Sequence, residues 1–288
     1  MVTLKCQSCG AEMEVSQNGD IYCPYCNASL SESHEDYKLF RYLCHSLLVN
    51  LANGKDTAEL EEKMWKYADT ASFESEDGKE ISIKYIYSSV NDGVEMYVAR
   101  NNILFLFEKG KETMADIALK ALGSIKLEDT EASRNIIPGL GGHFYLKDGR
   151  VMLAYFRPKN MYPLGMFGNL PVQHVEWVYS TALSFVVNVL NSASVAHRSL
   201  DCSDSWFIDI KNKNVGLYGG WWTFDPICEK DLSKDFINLR SLALKLVKKD
   251  DENKTKEFID YLKTEPSISG NDEWSRWVQV AKNLQNNV

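Results

Sequence analysis

Between residues 81 and 156 apolar residues come in short runs broken by turn formers, the pattern of strands rather than helices. The spacing predicts a meander over 81–87, 94–100 and 103–107, separated by Asn91-Asp92-Gly93 and Asn101-Asn102. A helix follows over 112–124, where Met114, Ile117, Ala118, Ala121 and Leu122 share one side. Two more strands, 142–146 and 150–156, flank Lys147-Asp148-Gly149. Beyond Pro158 the period lengthens to that of helices, over 173–192, 234–248, 255–262 and 273–286, interrupted by a small hairpin of 206–210 and 215–218.

Upstream, Ser31-Glu32-Ser33 can cap a helix starting near His34, with Leu39, Phe40, Leu43, Leu47 and Leu48 at helical spacing until Asn53-Gly54 ends it. A second helix over 57–68 carries Leu60, Met64, Trp65 and Tyr67, so the two form a helical hairpin. Charge dominates 74–79, where a boundary is expected. The chain therefore divides into 1–30, a linker of 31–76, a β-rich lobe of 77–158 and a helical lobe of 159–288, an α+β architecture.

The first 30 residues are read from their cysteines. Cys6-Gln7-Ser8-Cys9 and Cys23-Pro24-Tyr25-Cys26 are two Cys-x-x-Cys pairs, the spacing of a zinc ribbon built on a treble of short strands. Met13 and Val15 alternate into an Asn18-Gly19-Asp20 turn, and Ile21-Tyr22 return to the second pair. Four thiolates close the coordination shell, so the Zn2+ expected at Cys6, Cys9, Cys23 and Cys26 is structural rather than catalytic. Disulfides are the alternative, but Met1-Val2-Thr3-Leu4-Lys5 carries no apolar leader core. Cys44, Cys202 and Cys228 follow no spacing and are expected to be buried thiols of a reducing, cytoplasmic compartment.

Across its 288 residues the chain is 44% hydrophobic and 25% charged, ordinary values for a globular protein, and no stretch approaches the run of about 20 apolar residues that a membrane helix needs. A net charge of −8 weighs against nonspecific nucleic-acid binding. Lys5, Tyr22 and Tyr25 of the ribbon could meet bases, but Glu12, Glu14 and Asp20 dilute that surface, and the partner expected is another protein.

Several motif fragments fall in a telling order. Asn135-Ile136-Ile137-Pro138 precedes the fourth strand, and Tyr155-Phe156-Arg157-Pro158 joins the two lobes. At the end of a long helix stands Ala196-His197-Arg198-Ser199-Leu200-Asp201-Cys202-Ser203-Asp204, running into Ser205-Trp206-Phe207-Ile208-Asp209, and Lys234-Asp235-Phe236 opens a later helix. Taken together, 81–288 resembles the protein kinase fold, with 155–158 as hinge, His197-Arg198 opening the catalytic loop, and Asp235 in the place of the aspartate that braces that loop.

The same resemblance shows what is missing. The phosphate-gripping lysine of the third strand falls at or near Leu106, and Asp116, where a helix glutamate would stand, has no lysine partner. Ser199 replaces the catalytic aspartate, and a hydroxyl cannot serve as the base. Asp201 and Asp204 replace the loop lysine and the metal-binding asparagine. Gly219-Gly220-Trp221-Trp222 stands where a magnesium-binding acid is due, and Tyr87 to Gly93 keeps a single glycine where a glycine-rich lid is due. Gly139-Leu140-Gly141-Gly142 lacks the Lys-Ser/Thr of a phosphate loop and reads as a turn. The resemblance thus implies a pseudokinase: a protein-binding scaffold or regulator with no catalytic residues, against ATP binding. The alternative is an atypical metal-dependent kinase or nucleotidyl transferase using Asp201, Asp204 and Asp225 as relocated acids. Trp221 and Trp222 are either core or docking surface.

Overall fold

A computed structural model describes residues 14–15, 21–22, 25, 29–30, 43, 46–51, 53–66, 68–127, 135–223, 225–226, 232–248 and 256–286. Near the start, β1 (Glu14–Val15), β2 (Ile21–Tyr22) and β3 (Ser29–Leu30) pair antiparallel in that order, with Val15 opposite Ile21 and Ile21 opposite Leu30. These are the strands the alternation at Val15 and Ile21 called for. Cys6, Cys9, Cys23 and Cys26 lie outside the described residues, as do Cys44 and Cys228.

Residues 46–51 are helical, and Gly54 closes that helix at φ +66, donating its N–H to Leu51 O at 3.1 Å, a left-handed cap that favours glycine. Helix α1 (Ala58–Lys66) follows. Leu43, Leu47, Leu48 and Leu51 join Met64 and Trp65 of α1 in the main core, so both helical segments dock on the larger unit, while the start of the first predicted helix, 34–42, lies outside the described residues. The Arg100 guanidinium sits 5.3 Å from the Trp65 ring and pairs with Glu62, fastening α1 to the sheet.

The sheet has six strands, ordered β4-β5-β6-β7-β9-β8: β4 (Asp69–Glu74), β5 (Glu80–Asn91), β6 (Val94–Ala99), β7 (Asn102–Phe107), β8 (Leu140–Tyr145) and β9 (Val151–Phe156), all antiparallel. Strand β4 is an addition to the five expected. The charged stretch 74–79 is not a boundary but a turn inside the sheet, with Gly78 at φ +80 and Ser75 N–H bonded to Lys79 O at 2.9 Å. The extra strand lets the sheet curl until its outer strands meet. Ser75 bridges Leu146, Glu76 N–H reaches Tyr145 O at 2.8 Å, and Lys147 pairs with Glu74 at 2.7 Å. A second, small core fills the inside of the curl: Phe73, Leu104, Leu106, Leu146, Met152 and Ala154. Ile103, Phe105 and Phe107 point the other way into the main core, so β7 is buried on both faces, which is why Ile103 to Phe107 is uniformly apolar. Helix α2 (Glu112–Ser124) lays Ala115, Ala118 and Ala121 on that main face and leaves Asp116 exposed.

Arg157 joins the sheet to the helical half. Its Nε donates to Ala99 O at 3.0 Å, Nη2 to Arg100 O at 2.6 Å and Nη1 to Met161 O at 2.9 Å, and its guanidinium lies 5.0 Å from the Tyr162 ring. Beyond it come β10 (Tyr162–Pro163), α3 (Leu164–Phe167) and α4 (Val172–Phe185), which continues as a π-helical turn to Leu190, then β11 (Val195–Ala196), the hairpin β12 (Trp206–Asp209) and β13 (Asn214–Leu217), and β14 (Asp225–Pro226). Helices α5 (Ser233–Leu246), α6 (Lys256–Lys263) and α7 (Gly270–Asn286) complete the half and lie within a few residues of their predicted spans. A buried ion pair ties these three together: Arg240 bonds Glu273 and also donates to Tyr261 O at 3.1 Å, while Tyr261 OH donates to Glu273 Oε1 at 2.8 Å.

Candidate functional site

The loop that opens with His197 is held from below by Asp235. That carboxylate, fully buried near the start of α5, accepts the backbone N–H of His197 at 3.1 Å and of Arg198 at 2.9 Å, and Asn238 Nδ2 donates to Arg198 O at 3.0 Å. Three side-chain bonds from one helix hold Arg198 at φ +63, a conformation a non-glycine residue adopts only when its surroundings impose it. From above, Thr223 Oγ1 donates to His197 O, and β11 pairs with β14, setting Ala196 opposite Asp225. The bracing role expected of Asp235 is thus present in the geometry.

His197 itself faces inward. It is fully buried, its Nε2 lies 3.0 Å from Gly219 O, and its ring meets Trp221 edge to face at 5.1 Å. Nδ1 has no hydrogen-bond partner among the described residues, and burial holds the imidazole down at about 4, so it is neutral at pH 7 with its proton on Nε2. Gly220, at φ +76, leaves room for the ring: a Cβ there would stand 2.5 Å from His197 Cε1.

The acids of the loop are drawn to separate partners. Asp201 pairs with Lys245 at 3.0 Å on the half-exposed outer side. Asp204 Oδ1 accepts the Tyr87 hydroxyl at 2.7 Å, a bond that crosses from the sheet to the helical half. Gly165 permits that approach, since a Cβ there would fall 1.8 Å from Asp204 Oδ1 and 2.8 Å from the Tyr87 hydroxyl oxygen. No group of three potential metal ligands assembles among the described residues. Ser199 is partly exposed and offers only a hydroxyl where the resemblance calls for a base.

Rings gather on the main-core side of β7. Leu106 faces the second core, whereas Phe105 and Phe107 on either side of it face the main core. Trp222 packs edge to face against both, at 5.4 Å from Phe105 and 5.5 Å from Phe107, and Phe105 meets Tyr155 at 5.8 Å. Trp221 donates its indole N–H to Leu217 O at 3.2 Å. Both tryptophans are buried and belong to the core. Lys109, the nearest lysine along the chain, is exposed beyond the strand end.

The lid position is equally closed. Strand β5 runs on to Asn91, so Tyr87 to Asn91 is ladder rather than loop, and the turn is only Asp92-Gly93, at φ +53 and +72. Lys111 Nζ caps the turn at Asp92 O, 2.6 Å away. Two features carried no signal in the sequence: the Tyr87–Asp204 tether, whose partners are 117 residues apart, and the Arg157 clamp on three carbonyls.

No family model matches the chain and no curated protein matches it in sequence. Among solved structures, vaccinia related kinase 3 is similar at a TM-score of 0.48 and 14% identity, over 75% of this chain and 92% of that one. The PAN3 pseudokinase of Drosophila melanogaster gives 0.42 and 16%, over 67% and 63%. The PK-1 kinase of Cydia pomonella granulovirus gives 0.40 and 11%, over 69% and 88%. At these distances the likeness carries no functional inference, which rests on the residues above.

Proposed function

We propose that residues 69–286 form a kinase-like module that recognises other proteins and transfers no phosphate. The observation that carries this reading is Trp222, seated against Phe105 and Phe107 on the sheet face where a nucleotide's phosphates would need a cation. An indole offers neither charge nor ligand for magnesium, and it fills the volume. The alternative, a relocated acid site, is not favoured, because Asp201 and Asp204 are committed to Lys245 and Tyr87.

The first 30 residues complete the reading as a zinc-holding ribbon. Four thiols in two Cys-x-x-Cys pairs suit tetrahedral Zn2+, and the paired strands β1 and β2 supply the hairpin between them. Zinc bound at Cys6, Cys9, Cys23 and Cys26 would contribute folding free energy to a unit too small to hold itself together.

Incubation of the full chain with labelled ATP, magnesium or manganese and generic protein acceptors tests the module. The expected result is no transfer and no nucleotide-dependent thermal shift; turnover that vanishes in Asp201→Ala or Asp204→Ala would overturn it. Native mass spectrometry tests the ribbon, with one zinc expected per chain and none after Cys23→Ser/Cys26→Ser.

A further inference from the structure

Strand β8 is one edge of the six-stranded sheet, and among the described residues it pairs along its length with β9 alone. The other edge meets it only at one end, where Glu76 N–H bonds Tyr145 O and Ser75 bridges Leu146. Since Tyr145 O points away from β9, the alternation of an antiparallel ladder turns the N–H and C=O of His143 outward too. The two edges then part around an open cavity of about 420 Å3, lined by Ser75, Glu76 and Asp77 on one side and His143, Phe144 and Tyr145 on the other.

Natural edges are blunted by charge, proline or cover, because an open row of N–H and C=O groups invites another strand. Strand β4 follows that rule, with Asp69 and Glu74 at its ends and Thr70 and Ser72 exposed between them. Strand β8 does not. Leu140 to Tyr145 holds no acidic residue, lysine, arginine or proline, and Leu140, Phe144 and Tyr145 are exposed, as is Phe156 beside Gly141. The His143 and Tyr145 rings lie 4.8 Å apart on the face of their partners Leu153 and Val151, and Phe144 shares the face of Met152, so an added strand meets rings on both faces. Charge selects the occupant. Glu76 is exposed with no ion pair among the described residues, Asp77 is paired with Lys79, and no lysine or arginine lines the cavity. A second copy of β8 paired antiparallel about His143 would bring Gly139, Leu140 and Gly141 to that end, with no cation for Glu76.

We propose that the β8 edge captures an extended segment of a partner protein as a seventh, antiparallel strand, bonded to His143 N–H and O, with a lysine or arginine at the segment's N-terminal end facing Glu76. The inference names the recognising surface of the module proposed above and rests on that reading for its partner; phosphate transfer would sink that reading without moving the His143 amide. Hydrogen exchange of the full chain, read by NMR, tests it with Ac-Lys-Val-Thr-Val-Thr-Val-NH2 as the probe. In the free chain the His143 amide is expected to exchange freely, while that of Phe144, turned toward β9, is protected. Saturating probe is expected to slow His143 exchange about tenfold or more, and the fully N-methylated probe to leave it unchanged. Glu76→Gln is expected to weaken the lysine probe about twofold to fivefold and to leave a probe with threonine in place of lysine unaffected. A His143 amide already protected in the dilute chain, one unslowed by the probe, or one slowed equally by the N-methylated probe would overturn the inference. Unchanged binding of the lysine probe in Glu76→Gln, or an equal loss for both probes, would overturn the assignment to a basic segment. Protection that rises with chain concentration without probe, in a chain that sediments as a dimer, would give the edge to a second copy and overturn the partner.

Discussion

Truncating Trp222 tests the central feature of the cleft. Trp222 is 7% exposed, so Trp222→Ala removes almost a whole buried indole, a change that costs about 3–5 kcal/mol in a core that cannot collapse. The edge-to-face contacts with Phe105 and Phe107 go with it, each about 0.5–1.5 kcal/mol. Against this, the buried Nε1–H has no partner among the described residues, and removing such an orphan donor returns about 1–3 kcal/mol. The ring contacts and the orphan donor offset one another, so Trp222→Ala is expected to cost about 4 kcal/mol. Trp222→Phe keeps a ring between the two phenylalanines and also removes the orphan donor, so its cost is expected below about 1.5 kcal/mol. Urea unfolding of the full chain followed by near-ultraviolet circular dichroism reads both values at a constant denaturant slope. If Trp222→Ala unfolded within about 1 kcal/mol of the parent, or if Trp222→Phe cost more than Trp222→Ala, the indole would not be the packed plug of the cleft.

Three further outcomes are expected. Glu273→Gln leaves the buried Arg240 without its counter-charge and is expected to cost about 3–5 kcal/mol in the same assay, and Arg240→Met/Glu273→Leu is expected to recover little of it, because Tyr261 O then loses a donor and the Ser267 N–H its acceptor. Gly220→Ala forces a Cβ to 2.5 Å from the buried His197 ring at a positive φ and is expected to cost about 2–4 kcal/mol, with Gly78→Ala, where a Cβ meets open space, near 1 kcal/mol. His197, held down at about 4 against an unfolded value near 6.5, binds its proton more tightly unfolded than folded. Its contribution is therefore complete above pH 6.5 and is lost as pH falls to about 4, a drop of about 3 kcal/mol that His197→Gln is expected to remove from a stability-versus-pH profile.

Local patterns in the sequence were enough to place most elements. Apolar runs bounded by turn formers located β5, β6, β7 and β9, and helical spacing located α4 to α7, because each helix buries one face against the main core and the period records that face. Strand β4 escaped because Asp69–Glu74 is mostly exposed and buries chiefly Phe73, and that against the small second core. The facing of Leu106 was not legible for a related reason: a strand buried on both sides has no alternation to say which side chains meet which core.

That the chain carries no charged group at Ser199, at or near Leu106, or over Gly219 to Trp222, where the resemblance calls for one, is legible one residue at a time. The pairings made over long stretches of chain are not, because Trp222 reaches β7 across 115 residues, Tyr87 finds Asp204 across 117, and Arg240 finds Glu273 across 33. Such pairings depend on how far the sheet curls and where α4 and α5 set the loop, and no local period encodes a distance between elements that meet only after the core has formed. Glu176 is the plainest case: the sequence shows one more carboxylate on a helix, and only the tertiary packing seals its Oε1 from solvent without a partner among the described residues.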